Sequence, residues 1–206
     1  MKDKVYFGQW ETDRVIETFF PNQNTGLCIE VGAYDGIKGS NTKYFENLGW
    51  DTVCIEPNIF IFPQLVENRT GLSLCVACDN FEGEAMLEIF NFNSGVQSSL
   101  TSLNTDFRLI EDYRTAIDSR ELSTTKVTTL NKIIEKHELK NIDFISIDTE
   151  GTELKVLKGL NLDRNRPKLL IVENNYNDMD IPDYLDNFGY TKSQRYKVND
   201  FYTKEY

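Results

Sequence analysis

Two acidic residues follow short apolar runs in the first third of the chain, and both are placed to bind a small polar ligand. Glu30 lies in residues 29–36 (IEVGAYDG), an apolar run that turns sharply through two glycines. Glu56 ends the next apolar run, where an acid in a nucleotide-binding fold accepts hydrogen bonds from the two hydroxyls of a ribose. The pair predicts a nucleotide-cofactor site at the ends of two neighbouring strands.

The spacing of the glycines distinguishes between cofactors. A dinucleotide turn of the G-x-G-x-x-G kind needs glycine where the backbone approaches a pyrophosphate, and Tyr34 occupies that position. Glu30 would repel a phosphate, whereas it suits a ligand that carries an ammonium and a sulfonium. We therefore predict S-adenosylmethionine as the cofactor. A tight turn without a ligand is the alternative interpretation of Gly32 and Gly36 taken alone.

Composition sets the class of protein. The 206 residues fit one domain. The net charge is −11, and we find no cluster of Lys and Arg able to neutralise a row of phosphates, so nucleic acid is not expected as a partner. The chain shows no visible signal sequence, and no apolar run approaches the roughly 20 residues of a membrane span. We expect a soluble, cytoplasmic protein without a membrane span.

The cysteines and the single histidine do not indicate a metal site or a catalytic base. All four cysteines lie in or beside apolar runs and are predicted to be reduced core thiols: Cys28, Cys54, Cys75 and Cys78. Cys75 and Cys78 have the spacing of half a zinc site, but a second ligand pair is missing. His137 falls at the end of a predicted helix opposite the cofactor edge, so we interpret it as a helix-terminal cation rather than a base.

Short apolar runs alternate with amphipathic ones, a pattern typical of parallel strands with crossover helices. Strands are predicted at 27–31, 52–55, 72–77, 85–92, 142–148 and 169–173, and helices at 41–48, 60–68, 130–137, 153–160 and near 184–188. Two closing strands, 190–196 and 200–203, are close enough to pair antiparallel. The predicted fold is α/β: the Rossmann-like class I methyltransferase fold, a mostly parallel seven-stranded sheet with an antiparallel C-terminal strand pair.

An ordered set of motifs resembles the FkbM-type S-adenosylmethionine-dependent methyltransferases over nearly the whole chain. The motifs are residues 6–9 (YFGQ) with Asp13, 30–36 (EVGAYDG), 39–42 (GSNT), 49–50 (GW), 55–57 (IEP), 147–153 (IDTEGTE) and 157–159 (LKG). The family more often has Asp at the position of Glu30. The resemblance implies a single domain over residues 1–206 that methylates a hydroxyl group, most often of a sugar or glycan, and works beside or fused to glycosyltransferases.

The resemblance also implies a set of cofactor-binding residues. The set is Gln9, Glu30, Gly32, Ala33, Asp35, Gly36, Ser40, Asn41, Thr42, Glu56, Pro57, Asn58 and Asp79. Residues 40–42 begin a helix, where free N–H groups favour a carboxylate. Pro57 and Asn58 would shape the adenosine side. Asp79 would accept a hydrogen bond from the adenine amino group, and a turn acid that caps its own backbone is the alternative.

A second acidic group follows two later strands. Asp148, Glu173 and Asn174 all lie at the carboxyl ends of predicted strands, which is the edge where open α/β sheets bind ligands. They resemble the divalent-cation arrangement of the catechol-type O-methyltransferases, and oxygen-only ligands suit Mg²⁺ or Mn²⁺. The alternative has Asp148 bonded to the cofactor ammonium, with Glu173 on backbone or substrate.

Asp148 is also our first choice of catalytic base, and Glu150 is the second. Glu153 lies at the start of the following helix. A role as an acid of the first helical turn explains it as well as a role as a base. Two other functions stay open. A non-catalytic glycan-binding or scaffold domain has no need of so many acids at one sheet edge, and a nicotinamide oxidoreductase needs the glycine turn that this chain lacks.

Residues 93–125 are too long for an ordinary connection. They are polar, rich in Ser and Thr, and only weakly helical between 107 and 117. Insertions of this kind carry binding function more often than packing. We predict a mobile lid over the acceptor, including residues 95–99.

Overall fold

The computed structural model describes residues 4–93 and 100–204, which form two β-sheets with flanking helices. The strands are β1 (Leu27–Val31), β2 (Asp51–Ile55), β3 (Leu72–Leu74), β4 (Ala77–Cys78), β5 (Gly83–Phe92), β6 (Thr101–Ser102), β7 (Ile117–Thr128), β8 (Phe144–Ile147), β9 (Leu169–Glu173), β10 (Tyr190–Tyr196) and β11 (Asn199–Lys204). The helices are α1 (Thr12–Glu17), α2 (Lys43–Leu48), α3 (Phe62–Asn68), α4 (Phe107–Asp112), α5 (Leu130–Lys136), α6 (Glu153–Lys158) and α7 (Asp180–Asp186), with a short 3₁₀ helix at Gln9–Glu11. Among these residues, no helix is long and apolar enough to cross a membrane.

The larger sheet has the strand order β10-β11-β9-β8-β1-β2-β3. Its five strands from β3 to β9 are parallel, whereas β11 runs antiparallel to both β9 and β10. This confirms the predicted seven-stranded sheet with an antiparallel C-terminal pair. The chain moves outward in one direction from β1 and in the other from β8, so the ends of β1 and β8 form the switch point at which such sheets bind ligands.

Continuous apolar strands place the core on both faces of this sheet. In β1, Ile29 and Val31 pack on one face with the helices α5 and α6, whereas Cys28 packs on the other. The second face is aromatic: the Phe45 ring lies 4.9 Å from both Trp50 and Phe144. Burying a side chain of this size stabilises the folded protein by about 1.5–3 kcal/mol. The strand ends therefore rest on a well-packed core.

The smaller sheet contains the largest departure from the predicted elements. Its order is β4-β7-β5-β6, and β5 pairs antiparallel with β7 along its length. Residues 117–125, predicted as part of an irregular lid, belong to the strand β7, whose side chains are mostly exposed. A strand that is exposed on both faces lacks the apolar alternation that predicts strands. Residues 95–99 of the predicted lid lie outside the described residues.

The predicted strand 72–77 ends early, because β3 and β4 belong to different sheets. Cys75 lies between them and is exposed, so the prediction of a core thiol is wrong at this position. Cys28, Cys54 and Cys78 are buried free thiols. Burial raises the pKa of Cys54 and of Cys78 to about 12, which keeps both thiols protonated.

Candidate active site

A cavity of about 530 Å³ opens at the carboxyl edge of the larger sheet. Parallel strands end on the same edge, so residues far apart in sequence meet there. Seven members of the predicted cofactor set line the cavity: Gln9, Glu30, Gly32, Ala33, Ser40, Glu56 and Pro57. Asp148, Glu150 and Glu173 line it as well. Its volume is typical of sites for small organic ligands.

Glu56 is buried at the end of β2 and faces the cavity. Its Oε2 accepts a hydrogen bond from the Tyr34 amide at 2.9 Å, and its Oε1 accepts one from the Asn58 amide at 2.8 Å. Burial raises the pKa of Glu56 to about 7, although these two backbone hydrogen bonds oppose the shift. Each carboxylate oxygen has a second acceptor position. The group is therefore held in place with capacity left to bind a diol.

The glycines of the first turn have a structural cause. Gly32 has φ +87°, and a Cβ there would lie 1.7 Å from the carbonyl oxygen of Asp148. Gly36 has φ +79°, and its Cβ would lie 2.7 Å from Cγ of Arg69. Only glycine meets both demands. Gly32 thus lets the turn after β1 contact the loop after β8 directly, which brings Glu56 and Asp148 to one cavity.

Glu30 is engaged in a buried polar network that sequence reasoning missed. Its carboxylate accepts hydrogen bonds from Ser40 Oγ at 2.7 Å, the Asn41 amide at 2.5 Å and Thr42 Oγ1 at 2.6 Å. The Arg69 guanidinium lies 3.4 Å from Glu30 Oε2. Glu30 therefore orders the segment 40–42. The sequence indicates Arg69 as the partner of Glu30 only indirectly. A buried acid requires a cation, and Arg69 lies at the end of a helix on the neighbouring segment.

The other six members of the predicted cofactor set support the turns around the cavity. They are Asp35, Gly36, Asn41, Thr42, Asn58 and Asp79. Asp35 Oδ1 accepts hydrogen bonds from the amides of Ile37 and Lys38 at 2.8 and 2.7 Å. Asp79 Oδ1 accepts one from the Asn80 amide at 2.6 Å, which is the geometry of a turn acid that caps its own backbone.

Asp148, Glu150 and Glu173 form a carboxylate cluster in which one oxygen from each residue lies within 4.8 Å of the other two. Burial, followed by repulsion from Glu153, raises the pKa of Asp148 to about 7. Burial and repulsion from Asp148 raise the pKa of Glu150 and of Glu173 well above the usual value. The interaction between the Asp148 and Glu173 carboxyl groups by itself lowers the pKa of Asp148 and raises that of Glu173. Glu173 Oε2 is buried and has no hydrogen-bond partner among the described residues.

Asn174 does not join this cluster, contrary to the predicted ligand set. Its amide nitrogen donates to Asp200 Oδ2 at 3.0 Å and to the Asp178 carbonyl at 2.9 Å, and its Oδ1 accepts from the Asp178 amide at 2.8 Å. Successive strand residues point to opposite faces, so Glu173 and Asn174 cannot both face the cavity from one strand end. Glu150 takes the third place.

The loop after β8 is held by Glu153. Its Oε1 accepts hydrogen bonds from the Thr149 amide at 2.8 Å and the Gly151 amide at 3.0 Å. Glu153 is also an acid of the first turn of α6, as one interpretation of the sequence had it. Glu150 has φ +59° within this loop, a conformation that is unfavourable for a side-chain residue and is found most often at functional sites.

Two further segments, the insertion between β5 and β7 and the N-terminal segment, complete the walls. From the insertion between β5 and β7, Leu103, Leu109 and Tyr113 line the cavity, and the Asp106 amide donates to the Glu150 carbonyl at 3.3 Å. The insertion therefore borders the carboxylate cluster, whereas its role as a mobile lid stays a prediction. From the N-terminus, Trp10 lines the cavity beside Gln9.

A family model, the methyltransferase FkbM domain, matches residues 30–197. The chain belongs to the FkbM methyltransferase family. The match begins at Glu30 and covers the acidic strand ends at Glu56, Asp148 and Glu173, and the first strand of the antiparallel pair, β10. The family and the class I fold support S-adenosylmethionine as the cofactor.

A solved methyltransferase structure shows the same fold at low identity. The precorrin-6y C5,15-methyltransferase from Geobacter metallireducens GS-15 is 11% identical with a TM-score of 0.50, over 100% of this chain and 93% of that one. TrmK from M. capricolum, in complex with S-adenosyl-homocysteine, is 10% identical with a TM-score of 0.49, over 98% and 70% of the two chains. No curated protein matches the FkbM chain.

Proposed function

We propose that this FkbM-family protein transfers a methyl group from S-adenosylmethionine to a hydroxyl group of a sugar or glycan. One observation carries the proposal: the carboxylate cluster Asp148, Glu150 and Glu173 lines the same cavity as Glu56. A candidate ribose-binding acid and a group of candidate bases therefore line one cavity. A non-catalytic scaffold would have no use for the second group.

The residues present fit the cofactor. Glu56 keeps two acceptor positions for the ribose hydroxyls, and glycine at position 32 lets the turn after β1 approach the loop after β8. Carboxylate acceptors suit a ligand that carries an ammonium. When bound, the cofactor supplies a methyl group activated by its sulfonium. The protein then has to orient the acceptor and remove one proton.

Asp148 is the proposed general base. A base works best when its pKa lies near the working pH, and burial raises the pKa of Asp148 to about 7. Burial and repulsion from Asp148 raise the pKa of Glu173 well above its usual value, which favours the protonated form of Glu173 and leaves Asp148 to accept the proton of a hydroxyl. Three carboxylates at this end of the cavity would repel an anionic acceptor, so a neutral polyol fits best.

A divalent cation is a second candidate for the same cluster. The observation that favours it is Glu173 Oε2, which is buried without a hydrogen-bond partner among the described residues. The three carboxylates, Asp148, Glu150 and Glu173, would hold the ion. Oxygen ligands suit Mg²⁺ or Mn²⁺, and a bound cation lowers the pKa of an oxygen that it contacts.

The central experiment is a methylation screen with radiolabelled S-adenosylmethionine against neutral sugars, acidic sugars and glycans. We expect transfer to neutral hydroxyl acceptors, and transfer slower by about 10²–10⁴-fold in the Asp148→Asn variant. Calorimetry with S-adenosyl-homocysteine and with NAD identifies the cofactor class independently of the acceptor. Binding of NAD but not of S-adenosyl-homocysteine would contradict the proposal, and so would methylation confined to amine acceptors.

The cation is tested separately. Purified protein freed of metal is titrated with Mn²⁺ and followed by electron paramagnetic resonance. If the cluster binds a cation, Glu173→Gln abolishes binding, whereas Asn174→Ala retains it because the Asn174 side chain bonds to Asp178 and Asp200. Full turnover in excess chelator leaves Asp148 as a plain general base.

A further inference from the structure

Residues 8–11 form a segment that we call the N-terminal strap. It precedes residues 30–197, so the family match does not cover it. Gly8 forms a parallel bridge with Gly39, in the loop after β1. Two residues later, the Trp10 carbonyl accepts a hydrogen bond from the Tyr196 hydroxyl, at the end of β10, at 2.9 Å. The strap is therefore attached on both sides of the carboxyl edge.

The two attachments place the strap on the side of the cavity that contains the carboxylate cluster. In the strand order, β8, β9 and β11 lie between β1 and β10. Asp148 follows β8 and Glu173 ends β9, and both line the cavity together with Trp10. Glu56 ends β2, on the opposite side of β1. Trp10 thus belongs to the acceptor half of the cavity rather than to the ribose half.

The strap is held in one conformation by a buried acid. Asp13 is 0% exposed, and its Oδ2 accepts a hydrogen bond from the Phe7 amide at 2.7 Å. A Cβ at Gly8 would lie 2.8 Å from the Asp13 backbone nitrogen, so the contact requires glycine. Within the strap, Trp10 has φ +55° and Glu11 has φ +59°. Two successive left-handed residues with side chains are unfavourable and persist only where the surroundings impose them.

This arrangement presents the Trp10 indole to the cavity. Tyr6 and Phe7, just before the strap, pack against the aromatic core, whereas the Trp10 side chain stays 43% exposed and lines the cavity. A large aromatic ring that stays exposed on an unfavourable backbone gains little stability from burial within the protein. The ring is therefore available to a ligand.

We infer that Trp10 is a specificity-determining residue of the acceptor site, stacking on the apolar C–H face of a cyclic sugar whose hydroxyl points to the carboxylate cluster. The inference rests on the proposed function. A ring sugar has an apolar face and polar edges, so a flat indole and a group of carboxylates bind complementary parts of it. An acyclic polyol offers no such face. The strap thus favours cyclic sugars over acyclic polyols as acceptors.

The first test is optical and needs no turnover. The chain has two tryptophans, Trp10 and Trp50, and Trp50 is only 3% exposed, so acrylamide quenches mainly Trp10. The probes are methyl β-D-galactopyranoside and the acyclic control sorbitol, each at saturating concentration with S-adenosyl-homocysteine present. We expect the glycoside to protect Trp10 from quenching and sorbitol not to. Equal quenching with and without the glycoside overturns the inference.

The second test uses variants at Trp10. Loss of one stacked aromatic contact predicts about a tenfold rise in acceptor KM for Trp10→Ala, with most of it recovered in Trp10→Phe. The affinity for S-adenosyl-homocysteine should stay unchanged. Phe81→Ala is the matched control, because Phe81 is equally exposed at 42% and lies in the loop after β4. Equal loss of cofactor affinity in Trp10→Ala would assign the ring to the cofactor and overturn the inference.

The two tests separate this inference from the proposed function. If no sugar is methylated but the glycoside still protects Trp10, the inference stands and the proposed reaction is wrong. If sugars are methylated and Trp10→Ala leaves KM and the quenching of the complex unchanged, the reaction stands and the inference is wrong.

Discussion

The Arg69 guanidinium, with 0% of its side chain exposed, lies 3.4 Å from Glu30 and 3.0 Å from Glu46. Arg69 also donates to Ser40 Oγ at 3.1 Å and to Thr42 Oγ1 at 2.8 Å. One buried cation therefore neutralises two acids and joins the end of β1, the start of α2 and the end of α3. The segment 40–42 borders the cavity. Its conformation depends on the Arg69 side chain, which does not line the cavity.

Arg69→Met should destabilise the protein by about 3–5 kcal/mol, because it leaves Glu30 and Glu46 buried without their cation. Urea unfolding followed by circular dichroism measures the change. The control is Arg164→Ala, which breaks the exposed ion pair with Glu135 and should cost about 0–1 kcal/mol. Similar losses in both variants would mean that Arg69 is not structurally important.

Gly32→Ala should prevent native packing at the switch point. Its Cβ would lie 1.7 Å from the Asp148 carbonyl oxygen, so the loops after β1 and β8 must separate, and φ is +87°. We expect a larger loss of stability than for Gly49→Ala, where φ is +99° but no described atom lies within 4 Å. The control should cost about 1–2 kcal/mol, the penalty for a left-handed residue alone. Thermal unfolding compares the two, and equal losses would refute the close approach.

Glu56 should make the free protein less stable as pH rises. Burial raises its pKa from 4.5 to about 7, so between these values the unfolded chain has lost a proton that the folded protein retains. The unfolded state binds fewer protons there, and the free energy of unfolding falls as pH rises through this window. Glu56→Gln removes the effect. The difference in stability between variant and wild type should therefore grow from pH 4.5 to pH 7, and a constant difference would contradict the raised pKa.

The same residue should control cofactor affinity. Glu56→Ala removes charge-assisted acceptors for the ribose and should weaken binding of S-adenosyl-homocysteine by about 1.5–3 kcal/mol. Titration calorimetry measures this directly. Glu84→Ala, an exposed acid on β5, serves as the control. An unchanged dissociation constant for Glu56→Ala would remove Glu56 from the site.

Asp148→Asn should abolish most turnover while leaving cofactor binding intact. A general base contributes about 10²–10⁴-fold. In the wild type, kcat/KM should rise with pH and level off above the pKa of about 7, and the variant should lose this dependence. The exposed acid Asp163 provides the control variant, Asp163→Asn. A pH profile that is identical in wild type and Asp148→Asn would assign the base to another group.

The sequence by itself determined the class of fold and the edge at which the site lies. The strands β1 and β9 have the predicted limits, 27–31 and 169–173, because apolar runs buried on both faces are the clearest local signal of parallel strands. Glu56, Asp148 and Glu173 each follow such a run. Since parallel strands end on a common edge, their presence around one cavity follows from chain order alone.

Only the tertiary structure decided which side chains meet at that edge. Arg69 pairs with Glu30 across 39 positions of sequence, and Asn174 turns to Asp200 while Glu150 turns inward. Such choices depend on side-chain direction and on the energy of pairing buried charges, which are set by contacts between distant segments. The strand β7 and the strap at Trp10 are mostly exposed. Neither therefore has the apolar periodicity from which secondary structure is predicted.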